Sequence, residues 1–185
     1  MAYPQPDVVT ASIVPARRHV AVFGISLRRF TLALGAALLL LGIAGLPTNA
    51  TWPVATRDSY VSQSYSSGHR ADDLAADRGD RVVPIGSGRV VFAGWKSNCG
   101  GYQVWVYHGG GLYTAYYHMS HETSWSGRWV TKSTSTLGYV GMTGCATGPH
   151  LHVEVWHGYP WRSGSYRVNP WPYIDHGTYF PLRYR

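Results

Sequence analysis

Gly148-Pro149-His150-Leu151-His152-Val153-Glu154-Val155-Trp156 decides how this chain is read. In a β-strand, residues two apart share a side and lie roughly 6.6 Å apart along the chain. His150, His152, Glu154 and Trp156 are therefore expected on one face, with Leu151, Val153 and Val155 turned into a core. Upstream stand His118 and, earlier still, His69 with Asp73. A catalytic zinc site takes three protein ligands from His, Asp, Glu or Cys and leaves a fourth position for water. Two neutral imidazoles and one carboxylate leave a net charge of about +1, enough to draw the pKa of that water toward roughly 7. Five such residues supply three ligands and leave two imidazoles for moving protons, a division that points to a metallohydrolase. A straight strand would hold His69 and Asp73 about 13 Å apart, so a bend or turn is expected between them.

The surrounding chain reads as β. Arg89 to Phe92, Tyr102 to Tyr107, Leu112 to Tyr117 and Leu151 to Trp156 are rich in Val, Tyr and Trp and are separated by glycine or Ser/Asn clusters. Short glycine turns between close strands imply antiparallel pairing, and no window after Thr51 carries a helical stripe. Ser120 to Ser135 is expected as a surface loop beside the cleft, its Trp125 and Trp129 either lining a groove or capping a small core. The aromatic-rich tail after Trp156 is expected to pack across the sheet as irregular structure. His108 in the His-Gly-Gly-Gly turn is assigned a structural place. His157, His176 and His19 are read as surface residues. Glu154 either orients an imidazole or is a solvated strand residue.

These blocks carry a family resemblance. Gly68-His69-Arg70-Ala71-Asp72-Asp73 resembles the His-x-Gly-x-Asp motif of the lysostaphin-type (LytM-like) zinc endopeptidases that cut bacterial peptidoglycan. Gly88 to Trp95 resembles their glycine-bounded strand, and His108 to His118 their turn and strand ending in a catalytic histidine. Gly141 to Val155 is the closest match, and the blocks follow the family's order over roughly residues 65–157. The resemblance implies His69, Asp73 and His152 as ligands of one Zn2+. It implies His118, rather than the nearby His121, and His150 as the catalytic pair, one helping to activate the water and the other steadying charge on the scissile carbonyl oxygen. It implies an all-β fold of mainly antiparallel sheets around an open active-site groove. Two positions depart from the pattern: Ala71 replaces a glycine, which disfavours a positive φ there, and Asp72 replaces an aliphatic residue. Asp72 therefore competes with Asp73 as a ligand, and the four-residue spacing favours Asp73.

The length of 185 residues allows one domain plus a tail. Arg17-Arg18 and Arg28-Arg29 precede an apolar run at residues 30–46, followed by Pro47-Thr48-Asn49-Ala50. Residues 1–50 thus have the form of an extension and secretory signal, with retention as a membrane anchor the alternative. The peptidase-like domain is assigned to residues 51–185, and residues 51–64 are too short for a separate inhibitory domain yet long enough to cover a groove. Cys99 and Cys145 make an even pair, most simply a disulfide in an exported domain. Of the net charge of +7, the four arginines and Asp7 place +3 before residue 50, leaving +4 for the rest. A mildly basic exported protein is drawn to anionic wall polymers, while the scatter of its basic residues argues against nucleic acid.

The expected function is an exported, monomeric, zinc-dependent endopeptidase acting on peptidoglycan cross-links or stem peptides, secreted or held at the cell wall. Two alternatives stand beside it. One is a catalytically silent peptidoglycan-binding or regulatory module of the same fold, and the other keeps the zinc but cleaves a different bond, such as the amide between glycan and peptide.

Overall fold

The computed structural model describes residues 51–176; the signal or anchor reading of residues 1–50 lies outside them. Ten strands run in chain order: β1 (Tyr60–Gln63), β2 (Asp72–Ala75), β3 (Arg81–Val82), β4 (Gly88–Lys96), β5 (Gly101–Gly109), β6 (Leu112–Glu122), β7 (Trp129–Val130), β8 (Gly138–Val140), β9 (His150–His157) and β10 (Tyr166–Val168). They form one antiparallel sheet in the order β1-β2-β9-β6-β5-β4-β7. β10 joins β9, and β8 bridges β6 and β3. The fold is all-β: a single 3-10 turn at Trp171–Tyr173 is the helical element among the described residues. No described helix is long and apolar enough to cross a membrane.

Alternation sorts side chains between two cores. Val104, Val106, Tyr116, Leu151, Val153 and Val155 enter the larger one, where each is at most 1% exposed. Trp105, Ala115, Tyr117 and Trp156 point the other way and form a smaller cluster. Burying each Leu or Val side chain stabilises the fold by roughly 1.5–3 kcal/mol, so register is strongly fixed wherever such residues alternate.

The β5–β6 hairpin turns on Gly109, Gly110 and Gly111, with φ of 96°, 57° and 79°. A side chain would be strained at each, which is why the glycine run marks the turn. Further along β6 the ladder shifts: Val104 pairs with Tyr116 but Tyr102 pairs with Met119, so Tyr117 and His118 together oppose Gln103. His118 carries the irregularity, with φ of 62°. This β-bulge resets the alternation, returning Met119 to the large core beside Tyr116.

Several expectations change. Ser120 to Ser135 is not purely a loop, since β6 runs to Glu122 and Trp129–Val130 pair with β4. Trp125 and Trp129 are 63% and 61% exposed, so neither caps a core. β7 joins the Gly88–Arg89 end of β4, whereas His118 bonds Gly100 beyond the other end. The tail is more regular than expected, for β10 extends the sheet along β9 and Ile174 enters the large core. Within residues 51–64, Trp52 and Val54 are fully buried, and Val54 bridges to Val82. His157 and His176 are half-buried and stack on Tyr166 and Trp171.

Cys99 and Cys145 are joined in a disulfide across 46 residues. The backbone N–H of Cys145 also donates to the Cys99 carbonyl at 2.9 Å. Closing a loop of this size stabilises the fold by about 4 kcal/mol in the chain-entropy account. The double substitution Cys99→Ser, Cys145→Ser is expected to lower the unfolding free energy by about that amount. Urea titration checks it, and an unmoved midpoint would refute the account.

Candidate functional site

The β2–β9 ladder places Asp73 directly opposite His152, and Ala75 opposite His150. On the other edge of β9, Tyr117 faces His152. His69 precedes β2, separated from it by a bend at Ala71. Just upstream, Ser66 closes the turn that leads into His69: its N–H donates to the His69 carbonyl at 2.7 Å and its hydroxyl accepts from the His69 N–H at 3.1 Å. Across the bend at Ala71, His69 Nε2 reaches to 3.2 Å from Asp73 Oδ2, as the spacing requires. Ala71 is fully buried and is not among the residues with positive φ, so alanine fits where the family pattern has glycine.

Asp72 and Asp73, adjacent in sequence, end on opposite faces. Asp72 is buried, with Oδ1 accepting from the Tyr65 N–H at 2.8 Å. Its Oδ2 is buried with no hydrogen-bond partner, and burial raises its pKa. Asp73 faces the cleft. Its Oδ1 lies 2.7 Å from His152 Nδ1, and its Oδ2 lies 3.8 Å from His150 Nε2.

Donor atoms of His69, Asp73 and His152 all lie within 4.8 Å of one another. A tetrahedral ion with bonds of about 2.0–2.2 Å separates its ligand atoms by roughly 3.3–3.6 Å. Two imidazoles and a carboxylate at this spacing fit a zinc-type site. Burial works to lower the His152 pKa, but its hydrogen bonds to Asp73 and Glu154 outweigh burial and hold it at about 9. Burial likewise works to raise the Asp73 pKa, and the bond and charge of His152 bring it below the usual carboxylate range. A divalent cation held at Nδ1 would replace the proton between His152 and Asp73, leaving the Nε2 proton directed at Glu154.

His118 and His150 stand beside this cluster with ring centres 4.8 Å apart, and the His118 ring is 5.6 Å from that of His152. Without the bulge, residue 118 would share the side of Tyr116 and point into the large core. The left-handed conformation at His118 is strained for a non-glycine residue and is the kind of outlier that gathers at functional sites. Each of the two imidazoles donates from Nδ1 to a backbone carbonyl, His118 to Thr143 and His150 to Gly148, both at 2.8 Å. That fixes the tautomer and leaves Nε2 as the atom able to accept a proton. Burial, reinforced by the neighbouring histidines, pushes the His118 pKa down to about 4.

Glu154 is not a solvated strand residue. It is 1% exposed and accepts from the Tyr117 hydroxyl at 2.5 Å, Trp156 Nε1 at 2.7 Å and Arg167 at 2.8 Å. Its other contact is His152 Nε2 at 3.5 Å. Burial opposes ionisation of Glu154, yet these donors bring its pKa below the ordinary value. A carboxylate held this way orients the imidazole whose Nδ1 faces the cluster. His108 is structural: Nδ1 donates to the Ser87 carbonyl at 2.9 Å and Nε2 lies 2.8 Å from the Thr114 hydroxyl. His121 is exposed and bonds the neighbouring Ser120.

The sequence reading missed Tyr117, Trp161 and Arg167, which line the cleft with His118 and His152. Tyr117 had a signal, since strand alternation places it across from His152. Trp161 and Arg167 had none, because a loop and a return strand bring them in.

The profile of Peptidase family M23 matches residues 67–170. A DD-carboxypeptidase/endopeptidase, Mpg, from Neisseria meningitidis serogroup B is 36% identical over 102 residues, covering 55% of this chain and 22% of that protein. A peptidoglycan DD-endopeptidase, ShyC, from Vibrio cholerae is 35% identical over 86 residues, covering 46% of this chain and 19% of that one. The chain thus spans about a fifth of the length of these relatives. Among solved structures, the catalytic domain of the antimicrobial peptidase lysostaphin from Staphylococcus simulans superposes with a TM-score of 0.54 at 29% identity, covering 62% of this chain and 88% of that one. An all-β sheet presenting a His-Asp-His cluster beside two further imidazoles is a peptidase scaffold of the metal-dependent class. The chain belongs to Peptidase family M23.

The titrations set a pH dependence for metal-free protein. His118 has its folded pKa depressed to about 4, so its stabilising contribution is lost as pH falls from about 6.5 toward 4. His152 has its folded pKa raised to about 9, so its contribution is complete below about 6.5 and is lost as pH rises toward 9. Thermal melts with chelator present are expected to peak near pH 6.5 and to decline on both sides. A flat profile from pH 5 to 9 would contradict these environments.

Proposed function

We propose that this protein is an exported zinc-dependent endopeptidase that hydrolyses peptide bonds in bacterial peptidoglycan. The observation that carries the reading is the convergence of His69, Asp73 and His152 within 4.8 Å, beside two imidazoles whose Nδ1 atoms are tied to backbone carbonyls. In a chain of the M23 family, that is the equipment for cleaving an amide with an activated water. Relatives named as endopeptidases, one of them acting on peptidoglycan, support the choice of substrate.

In this reading His69, just before the bend, Asp73 on β2 and His152 on β9 would hold the ion. When bound, the zinc supplies a Lewis acid and lowers the pKa of a coordinated water toward neutrality. Glu154 fixes the His152 ring from behind and adds negative charge that strengthens it as a donor. His118 and His150 present Nε2 to the cleft. One takes the proton of the attacking water and passes it to the leaving amine, and the other stabilises charge on the carbonyl oxygen. With its pKa near 4, His118 is neutral at physiological pH and able to accept a proton.

Export is read from the arginine-flanked apolar run at 30–46, and the Cys99–Cys145 disulfide suits an oxidising compartment. The mature chain is then residues 51–185, one domain working as a monomer at the wall.

Zinc content and release of amino groups from purified peptidoglycan test the proposal together. His152→Ala and Asp73→Ala are expected to lose zinc and activity alike. His118→Ala and His150→Ala are expected to keep one zinc per chain and lose activity by about 10²–10⁴-fold. Stoichiometric zinc in either of the first pair would refute the ligand set. Parent-rate digestion by His150→Ala would refute its catalytic role.

A further inference from the structure

Three arginines meet in one cleft beside the site. Arg70, Arg162 and Arg167 line a hollow of about 480 Å³ together with Trp156, Trp161 and Tyr166, and no carboxylate lines it. A second hollow of about 190 Å³ contains His118 and His152, and the two share Trp161 and Arg167 as walls. The arginine cleft therefore adjoins the hollow that holds His118 and His152, with Trp161 and Arg167 standing between the two.

The charges in that cleft are unequally compensated. Arg167 is committed to Glu154 at 2.8 Å and lies over the Trp156 and Trp161 rings. Arg70 donates to the Tyr65 hydroxyl at 2.7 Å, and Arg162 lies over the Tyr159 ring at 4.9 Å. Both are exposed, and neither forms an ion pair with an acidic side chain among the described residues. Two guanidinium forks facing a groove without a counter-charge suit a carboxylate, which they can grip with paired, charge-assisted hydrogen bonds.

Trp161 adds an independent observation. It is a bulky residue in the left-handed region at φ 64°, and it remains 50% exposed. Its Nε1 donates to the Tyr117 hydroxyl at 3.1 Å, and its ring lies 5.5 Å from that of Trp156. An exposed aromatic held in a sparsely populated conformation by the network around His152 is placed to present its face to a ligand.

We propose that the Arg70–Arg162–Arg167 cleft is a substrate subsite that receives a carboxylate carried by the wall peptide, with Trp161 as the wall between this subsite and the scissile bond. The inference rests on the hydrolase reading of the adjoining site and deepens it, naming an acidic peptide rather than a neutral glycine bridge as the preferred substrate. The anion is assigned to the substrate peptide because the cleft shares Trp161 and Arg167 with the hollow that holds His118 and His152.

Binding by the full chain is measured by isothermal titration with two synthetic stem tripeptides, one with free carboxylates and one with the same groups as primary amides. This readout needs no turnover. The parent is expected to bind the carboxylate form about tenfold tighter at low salt, the effect of one charged hydrogen-bonded contact, with the preference shrinking as salt rises. Arg162→Gln and Arg70→Gln are each expected to cut the preference, and Arg162→Glu to abolish or invert it, with thermal melts checking the fold. Equal binding of the two peptides to the parent overturns the proposal, as does a preference that survives Arg162→Glu in folded protein. Saturable binding of a glycerol phosphate oligomer without binding of either peptide assigns the cleft to phosphate and also overturns it. A carboxylate preference in protein that releases no amino groups from peptidoglycan would instead sink the hydrolase reading and leave the subsite standing.

Discussion

The pairing of Asp73 with His152 across the β2–β9 ladder is the constraint on which the site depends. It sets the 2.7 Å contact between carboxylate and imidazole, and it fixes which side of the sheet carries polar groups. The same ladder pairs Leu74 with Leu151 on the opposite face, both fully buried. A slip of one residue would turn these leucines toward water and Asp73 and His152 into the core, so the hydrophobic interior enforces the polar geometry. Burial and chemistry here are two faces of one register.

Around that register, a short segment between β8 and β9 supports both remaining histidines. Thr143 gives its carbonyl to His118 and its hydroxyl to the Met119 carbonyl, and Gly148 gives its carbonyl to His150. The disulfide joins this segment at Cys145 to Cys99, next to Gly100, whose carbonyl accepts the His118 N–H at 2.9 Å. Both anchors of the bulged residue are thus cross-linked to each other. The strain of a left-handed histidine is borne by covalent and hydrogen-bonded neighbours rather than by the sheet alone.

The fold and much of the site were legible because they obey period two. The alternation of Leu151, Val153 and Val155 with His150, His152 and Glu154 is written directly in the sequence and appears unchanged in β9. The bend before Asp73 followed from distance alone. What the sequence hid depends on features that break the period or act over long range. The bulge at His118 is one, since nothing local marks where an extra residue enters β6. The opposite fates of Asp72 and Asp73 are another: two identical side chains are separated only by which face each takes. Trp161 and Arg167 arrive through a turn and a short return strand after β9, which a reading of polarity and aromatic content took for irregular tail. Glu154 could be placed on a face, but its burial depends on Tyr117, Trp156 and Arg167 together.

The Asp73–His152 pair and the cleft walls belong to parts of the molecule with different tolerance for change. Asp73 and His152 sit on paired interior strands, whereas Trp161 and Arg162 sit in the connection between β9 and β10 and Asn98 in the one between β4 and β5. Connections accept insertions and substitutions that paired strands do not. Evolution, or a protein engineer, can therefore exchange the walls while the paired geometry of Asp73 and His152 is inherited intact.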